Sequence, residues 1–207
     1  MTLPTTDKVN VSLDGHVGIV ELRKPPHNFF DGEMIAAIAT AFEALESHAD
    51  CRSLLLCAQG SSFCAGADFS KRDATPAGGG GPRHVNPLYA EAIRMFSITK
   101  PVVAAVNGPA VGGGLGLALV ADFRVTCAEA RFSANFTRLG IHPGFGLSVS
   151  LPRLIGPQKA ALLFYTGRRI GGEEAAAIGL ADLLVPQNEV RERAHALAAE
   201  IAVSAPL

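Results

Sequence analysis

Apolar and polar residues alternate twice near the start of the chain, in Val9-Asn10-Val11-Ser12-Leu13 and again in Val17-Gly18-Ile19-Val20-Glu21-Leu22. A period of two puts one face of an extended strand against a core. Asp14-Gly15 between the runs supplies the tight turn of a hairpin. Pro25-Pro26 stops the second strand, and the period then changes: Met34, Ile38, Ala41, Phe42 and Leu45 recur at helical spacing. Asp31 precedes them as an N-cap and Glu33 suits the first turn, so an amphipathic helix is predicted up to His48.

A different pattern follows. Leu54-Leu55-Leu56-Cys57-Ala58 and Val102-Val103-Ala104-Ala105-Val106 are short, continuously apolar and bounded by turn residues, the mark of strands covered on both faces. Each runs into a glycine turn, the first through Gly60 to Phe63-Cys64-Ala65-Gly66-Ala67-Asp68, the second through Asn107-Gly108 to Val111-Gly112-Gly113-Gly114. One unit is used twice. Phe123-Arg124-Val125-Thr126-Cys127 adds a strand, and from Pro157 onward the pattern is mainly helical, punctuated by Gly and Pro. Between the two units, residues 74–82 are all Gly, Pro, Ala or Thr. They read as a mobile surface loop, either a lid over a ligand or a tolerated insertion.

Composition narrows the class. With 48% apolar and 18% charged residues, the 207-residue chain can bury one core. Eighteen basic against nineteen acidic residues offer no stripe for a nucleic-acid backbone or an anionic membrane. The N-terminus lacks an apolar signal region, and the apolar run from Val111 to Val120 is too short to span a bilayer and carries four glycines. We therefore expect a cytoplasmic protein with no nucleic-acid or membrane partner. Cys51, Cys57, Cys64 and Cys127 form no C-x-x-C pair and have no His at ligand spacing. Reduced core thiols are expected, with no metal site and no disulfide.

The glycine turns carry the candidate chemistry. No G-x-G-x-x-G fits, because Leu117 stands where the last glycine would follow Gly112 and Gly114, and no G-x-x-x-x-G-K-[ST] occurs. Where a strand ends in glycines and a helix begins, the first helical N-H groups lack internal partners. Gly113 opens such a helix. If the Ala65-Gly66-Ala67 turn aims a second N-H at the same point, the pair can hold a carbonyl oxygen as it becomes an enolate or tetrahedral oxyanion, each donor being worth about 3 kcal/mol of barrier.

These residues resemble a known family. Ser62 to Asp68, Lys100 to Gly114 and Ala121 to Arg124 are similar to the signature of the crotonase (enoyl-CoA hydratase/isomerase) superfamily. The similarity continues through Leu139 to Gly144, Leu151 to Gly156 and Tyr165 to Ile170, as far as Gly179 to Asp182. It implies an α/β fold, the ClpP-like spiral of ββα units, over residues 1–185, with the start of a shortened C-terminal helical segment at 186–207. It further implies a homotrimer or dimer of trimers and no tightly bound cofactor, coenzyme A entering as part of an acyl-CoA substrate. The thioester carbonyl would lie between the amides of Ala67 and Gly113, and CoA along Pro26, His27, Ala65, Asp68 and Phe69.

Three positions depart from the family pattern. Gly116 and Phe136 stand where hydratases carry two glutamates, and Gly144 where double-bond isomerases carry an aspartate. Neither Gly nor Phe can take a proton from water. Gly116 and Phe136 then read as parts of an apolar substrate pocket, and His142 as a candidate acid–base residue, weighed against a histidine satisfied by nearby backbone. Glu91 reads as a solvated helix charge, Asp68 as a brace for its turn, and Asp122 as structural. The stripe Val190, Ala194, Leu197 and Ile201 runs to the end of the chain, where an exposed apolar surface is expected. The functions left open are an enzyme of lyase or isomerase type, a hydrolase, decarboxylase or C-C lyase of the same fold, and a non-catalytic acyl-CoA-binding protein. A serine peptidase of the related fold is disfavoured, since Ser148 and Ser150 have no G-x-S-x-G around them.

Overall fold

The computed structural model describes residues 2–68 and 87–204. Its frame is a six-stranded sheet in the order β1-β2-β3-β4-β6-β9. These strands are β1 (Val9–Asp14), β2 (Val17–Leu22), β3 (Ser53–Ala58), β4 (Val102–Val106), β6 (Phe123–Thr126) and β9 (Leu183–Leu184). β1 pairs antiparallel with β2, and every later neighbour is parallel. The hairpin forms as expected, with its turn one residue later: Asp14 still pairs with Val17, and Gly15 takes the left-handed conformation at φ +57°. The continuously apolar runs are the central strands, and β4 is buried at every position.

A second layer lies beside this sheet. β5 (Ala110–Val111) pairs parallel with β7 (Arg131–Ser133), which pairs antiparallel with β8 (Arg169–Gly171). Isolated parallel bridges, Phe30 with Ala67 and Cys64 with Ala110, extend the same layer backward along the chain. The repeat is thus visible in the hydrogen bonds. β2, β3 and β4 are each followed by a short extended segment in the second layer and then a helix: α1 (Gly32–Glu46) after Phe30, α2 (Pro87–Met95) after the Ala67 turn, and α3 (Gly113–Ala118) after β5. This is the ββα spiral expected from the sequence. The parallel pairings need such crossovers, because a hairpin cannot join parallel strands.

α1 begins where its cap predicted, with the Asp31 carboxylate accepting from Met34 N at 2.9 Å, and it buries Met34, Ile38, Phe42 and Leu45. After α4 (Leu147–Ile155), α5 (Pro157–Thr166) and α6 (Gly172–Ala177), helix α7 (Val190–Ala202) returns to the long sheet and packs on β3, β4 and β6. Its buried stripe is Val190, Ala194, Ala198 and Ala202, with Leu197 and Ile201 only half-buried. The alanines let the helix lie close to the sheet, and Ser53 Oγ donates to Ala198 O at 2.7 Å. Val203, just beyond the helix, is exposed. The strands β8 and β9, two or three residues long, interrupt the region that the sequence reads as mainly helical.

The buried Arg124 ties β6 to the chain before β9. It donates to Leu180 O and Ala121 O and pairs with Asp182 at 3.1 Å. Asp122 is structural as expected, accepting from Val102 N at 2.8 Å. No helix among the described residues is long and apolar enough to cross a membrane. The glycine-rich stretch at 74–82 lies outside the described residues.

Candidate functional site

The two glycine turns meet at a cavity of about 330 Å³. One wall is main chain. Phe30 N donates to Gly66 O at 3.0 Å and Asp68 N donates to Phe30 O at 2.8 Å. In this parallel bridge Phe30 uses both its polar groups on the neighbours of Ala67, so the N-H of Ala67 itself faces away from Phe30. Cys64 bridges Ala110 in the same way, donating to Pro109 O and accepting from Val111 N. Gly112 N is taken by Ser133 O at 2.8 Å. Gly113, the first residue of α3, has no acceptor within its helix. Among the described residues, neither the Ala67 nor the Gly113 amide donates to a main-chain carbonyl, and both residues line the cavity.

The turns touch, and only glycine permits it. Gly66 sits at φ +98°, and a Cβ there would lie 2.8 Å from Val111 O and 3.8 Å from Gly113 N. A Cβ on Gly114 would come within 2.0 Å of Cys64 O. The Cys64 thiol beneath is fully buried, donates to Asn28 O at 3.1 Å and is pushed up to about 12 by burial, so it is no nucleophile.

The rest of the lining is made of side chains. Phe30 and Phe145 stack obliquely with ring centroids 5.6 Å apart, and Phe136, Leu139, Ile141 and Tyr89 complete it. The three positions that depart from the family pattern have distinct fates. Phe136 lines the cavity itself. Gly116 does not: it is buried beneath Phe145, and a Cβ on it would stand 2.6 Å from Phe145 Cβ and 2.9 Å from Phe145 O. Phe145, at φ +55°, lines the cavity where Gly116 was expected to. A Cβ on Gly144 would lie 2.1 Å from the Tyr89 hydroxyl, which already occupies that volume.

Charge gathers at the rim. Asp68 pairs with Lys24 at 3.3 Å, and Asp31 with Lys8 at 3.1 Å. Burial pushes the Asp31 carboxyl up, but the Met34 N-H, Lys8 and Lys24 outweigh it and hold the group below its ordinary value. His142 lies apart from the cavity lining: its ring is exposed, with Nδ1 2.9 Å from Pro143 O. Glu91 is engaged by Arg94 on its own helix.

The residues expected along CoA are largely brought together. Ala65 lines the first cavity and also a neighbouring one with His27, Ser62, Arg131 and Arg169. Ala65 N donates to His27 O at 2.9 Å and Ser62 N to Pro26 O at 3.2 Å. The buried Asn28, at φ +50°, locks this bend by donating from Nδ2 to Gln59 O and Ser62 O. Phe69 lies outside the described residues. Tyr89, Phe145, Arg131 and Arg169 were missed by sequence reasoning, because nothing local distinguishes them from ordinary helix, turn and strand residues. Among the described residues, no three His, Cys, Asp or Glu side chains are placed to hold a metal ion, and the four cysteines are buried and free.

Comparison with known proteins agrees with this architecture. A family model described as enoyl-CoA hydratase/isomerase matches residues 13–207. A protein of Mycobacterium tuberculosis named probable enoyl-CoA hydratase EchA14 is 40% identical over 187 residues, covering 89% of this chain and 72% of its own length. Carnitinyl-CoA dehydratase of Salmonella typhi is 33% identical over 209 residues, covering 98% of this chain and 77% of its own. The crystal structure of an enoyl-CoA hydratase from Bacillus anthracis superposes with a TM-score of 0.86 at 32% identity, covering 96% of this chain and 78% of that one.

Proposed function

Because this chain belongs to the enoyl-CoA hydratase/isomerase family, we propose that it is an acyl-CoA enzyme that stabilises a thioester enolate or oxyanion between the amides of Ala67 and Gly113. The observation that carries this reading is the pair of main-chain amides, free of main-chain acceptors among the described residues, on one wall of one cavity. Fixed donors of this kind need no reorganisation as the oxygen gains charge, which is why they lower barriers more than they tighten ground-state binding.

CoA would run from that cavity past Ala65 and Asp68 toward Pro26, His27 and Phe69, with Arg131 and Arg169 near its phosphates. The acyl end is walled by Phe136 and Phe145. Standard hydration needs a base for water, and the carboxylates at this rim are already paired with lysines. Decarboxylation or C-C cleavage through the same oxyanion fits the site better. We place the protein in the cytoplasm as a homotrimer or dimer of trimers, with no tightly bound cofactor.

Turnover of a panel of CoA thioesters, together with calorimetric titration of butyryl-CoA, tests the reading. Ala67→Pro deletes one donor while sparing the bridge, whose bonds use Gly66 O and Asp68 N. We expect kcat to fall on the order of 10²-fold, with CoA itself still bound. Butyryl-CoA binding without turnover of any thioester would favour the non-catalytic reading, and no binding would remove the CoA assignment.

A further inference from the structure

The three positions that depart from the family pattern are all covered by aromatic rings, and only one of those rings carries a polar atom. Phe145 lies over Gly116, Phe136 stands at its own position, and Tyr89 fills the space at Gly144. Tyr89 arrives from α2, a separate element from the one bearing Gly144. Its hydroxyl has no hydrogen-bond partner among the described residues, although the residue lines the cavity. Tyr89 is 38% exposed, so water can satisfy its hydroxyl in the empty site; a ligand that fills the cavity displaces that water, and the site then favours a ligand that brings an acceptor over one that lacks it.

We propose that Tyr89 is a specificity-determining residue, its hydroxyl donating to an oxygen on the β carbon of the acyl chain and so selecting 3-oxoacyl-CoA thioesters over unsubstituted ones. This rests on the reading that the thioester carbonyl sits at the main-chain wall. Counting outward from that carbonyl, the β carbon is the first position past the enolate that can offer a further oxygen to the side-chain lining, to which Tyr89 belongs. Burial raises the Tyr89 phenol above its ordinary value, so it stays protonated and able to donate at neutral pH. The nearby carboxylates, Asp31 and Asp68, carry charge that repels an acyl oxygen and are held by Lys8 and Lys24 at the rim.

The test compares acetoacetyl-CoA with butyryl-CoA, two probes of equal chain length that differ in one oxygen, by calorimetric titration of the full chain. In the wild-type protein acetoacetyl-CoA should bind more tightly. Tyr89→Phe should weaken acetoacetyl-CoA roughly five- to tenfold, the range of one lost hydrogen bond, and change butyryl-CoA less than twofold. Gly144→Ala provides a second route, since its Cβ would push the hydroxyl aside without altering Tyr89, and it should reproduce the selective loss. Equal losses for both probes in both variants, or no loss, would overturn the assignment while leaving the CoA reading intact. A wild-type protein that binds neither probe would overturn both.

Discussion

The two walls of the cavity are built by opposite means. The main-chain wall comes from residues close to one another in each glycine turn, and its geometry is held by parallel bridges whose every bond is backbone to backbone. The side-chain wall gathers Phe30, Tyr89, Phe136 and Phe145 from four separate segments, held by packing alone. The first wall tolerates almost no change in residue size, because a Cβ at Gly114 meets a carbonyl that cannot move without breaking the Cys64 bridge. The second can exchange its chemistry by swapping rings. That difference explains how a site can keep its main-chain wall while the chemistry of its side chains changes.

The largest expected effect comes from placing a glutamate at Gly116. Gly116→Glu forces a carboxylate beneath Phe145 with no cation beside it, and should cost about 4 kcal/mol or more in urea denaturation without creating crotonyl-CoA hydratase activity. An unchanged midpoint with gain of turnover would show that the aromatic wall yields more readily than its packing suggests. Next comes Gly114→Ala, where one methyl group presses on the Cys64 carbonyl. We expect a loss of about 3 kcal/mol and weaker butyryl-CoA binding. A variant as stable as the wild type would break the contrast from the main-chain side.

The smallest effect sits at the rim. Asp31→Ala removes the N-cap of α1 and should cost about 1 kcal/mol. Its pH dependence has a definite sign. The folded-state pKa of Asp31 lies below its unfolded value, so the carboxylate stabilises the fold above the unfolded pKa, and that contribution disappears as pH falls through the folded one. The gap in stability between wild type and Asp31→Ala should therefore narrow on acidification from neutral pH. A gap that is constant from neutral pH to strong acid would show that the cap acts without its charge.

The sequence by itself determined the parts whose cause is local. Alternation gave the hairpin, unbroken apolar runs gave the central parallel strands, and Asp31 gave the start of α1, since each depends on neighbours within a turn or two of chain. The glycines at 66 and 112–114 marked the main-chain wall for the same reason: positive φ and close backbone approach leave a local signature that no other residue supplies. Only the tertiary structure decided the rest. Nothing near Gly116 or Gly144 announces that Phe145 and Tyr89 fill their space. The short strands β8 and β9 likewise exist only because β7 and β6 are there to pair with them. Packing between distant segments has no period along the chain, so it becomes readable only once the spiral has brought those segments together.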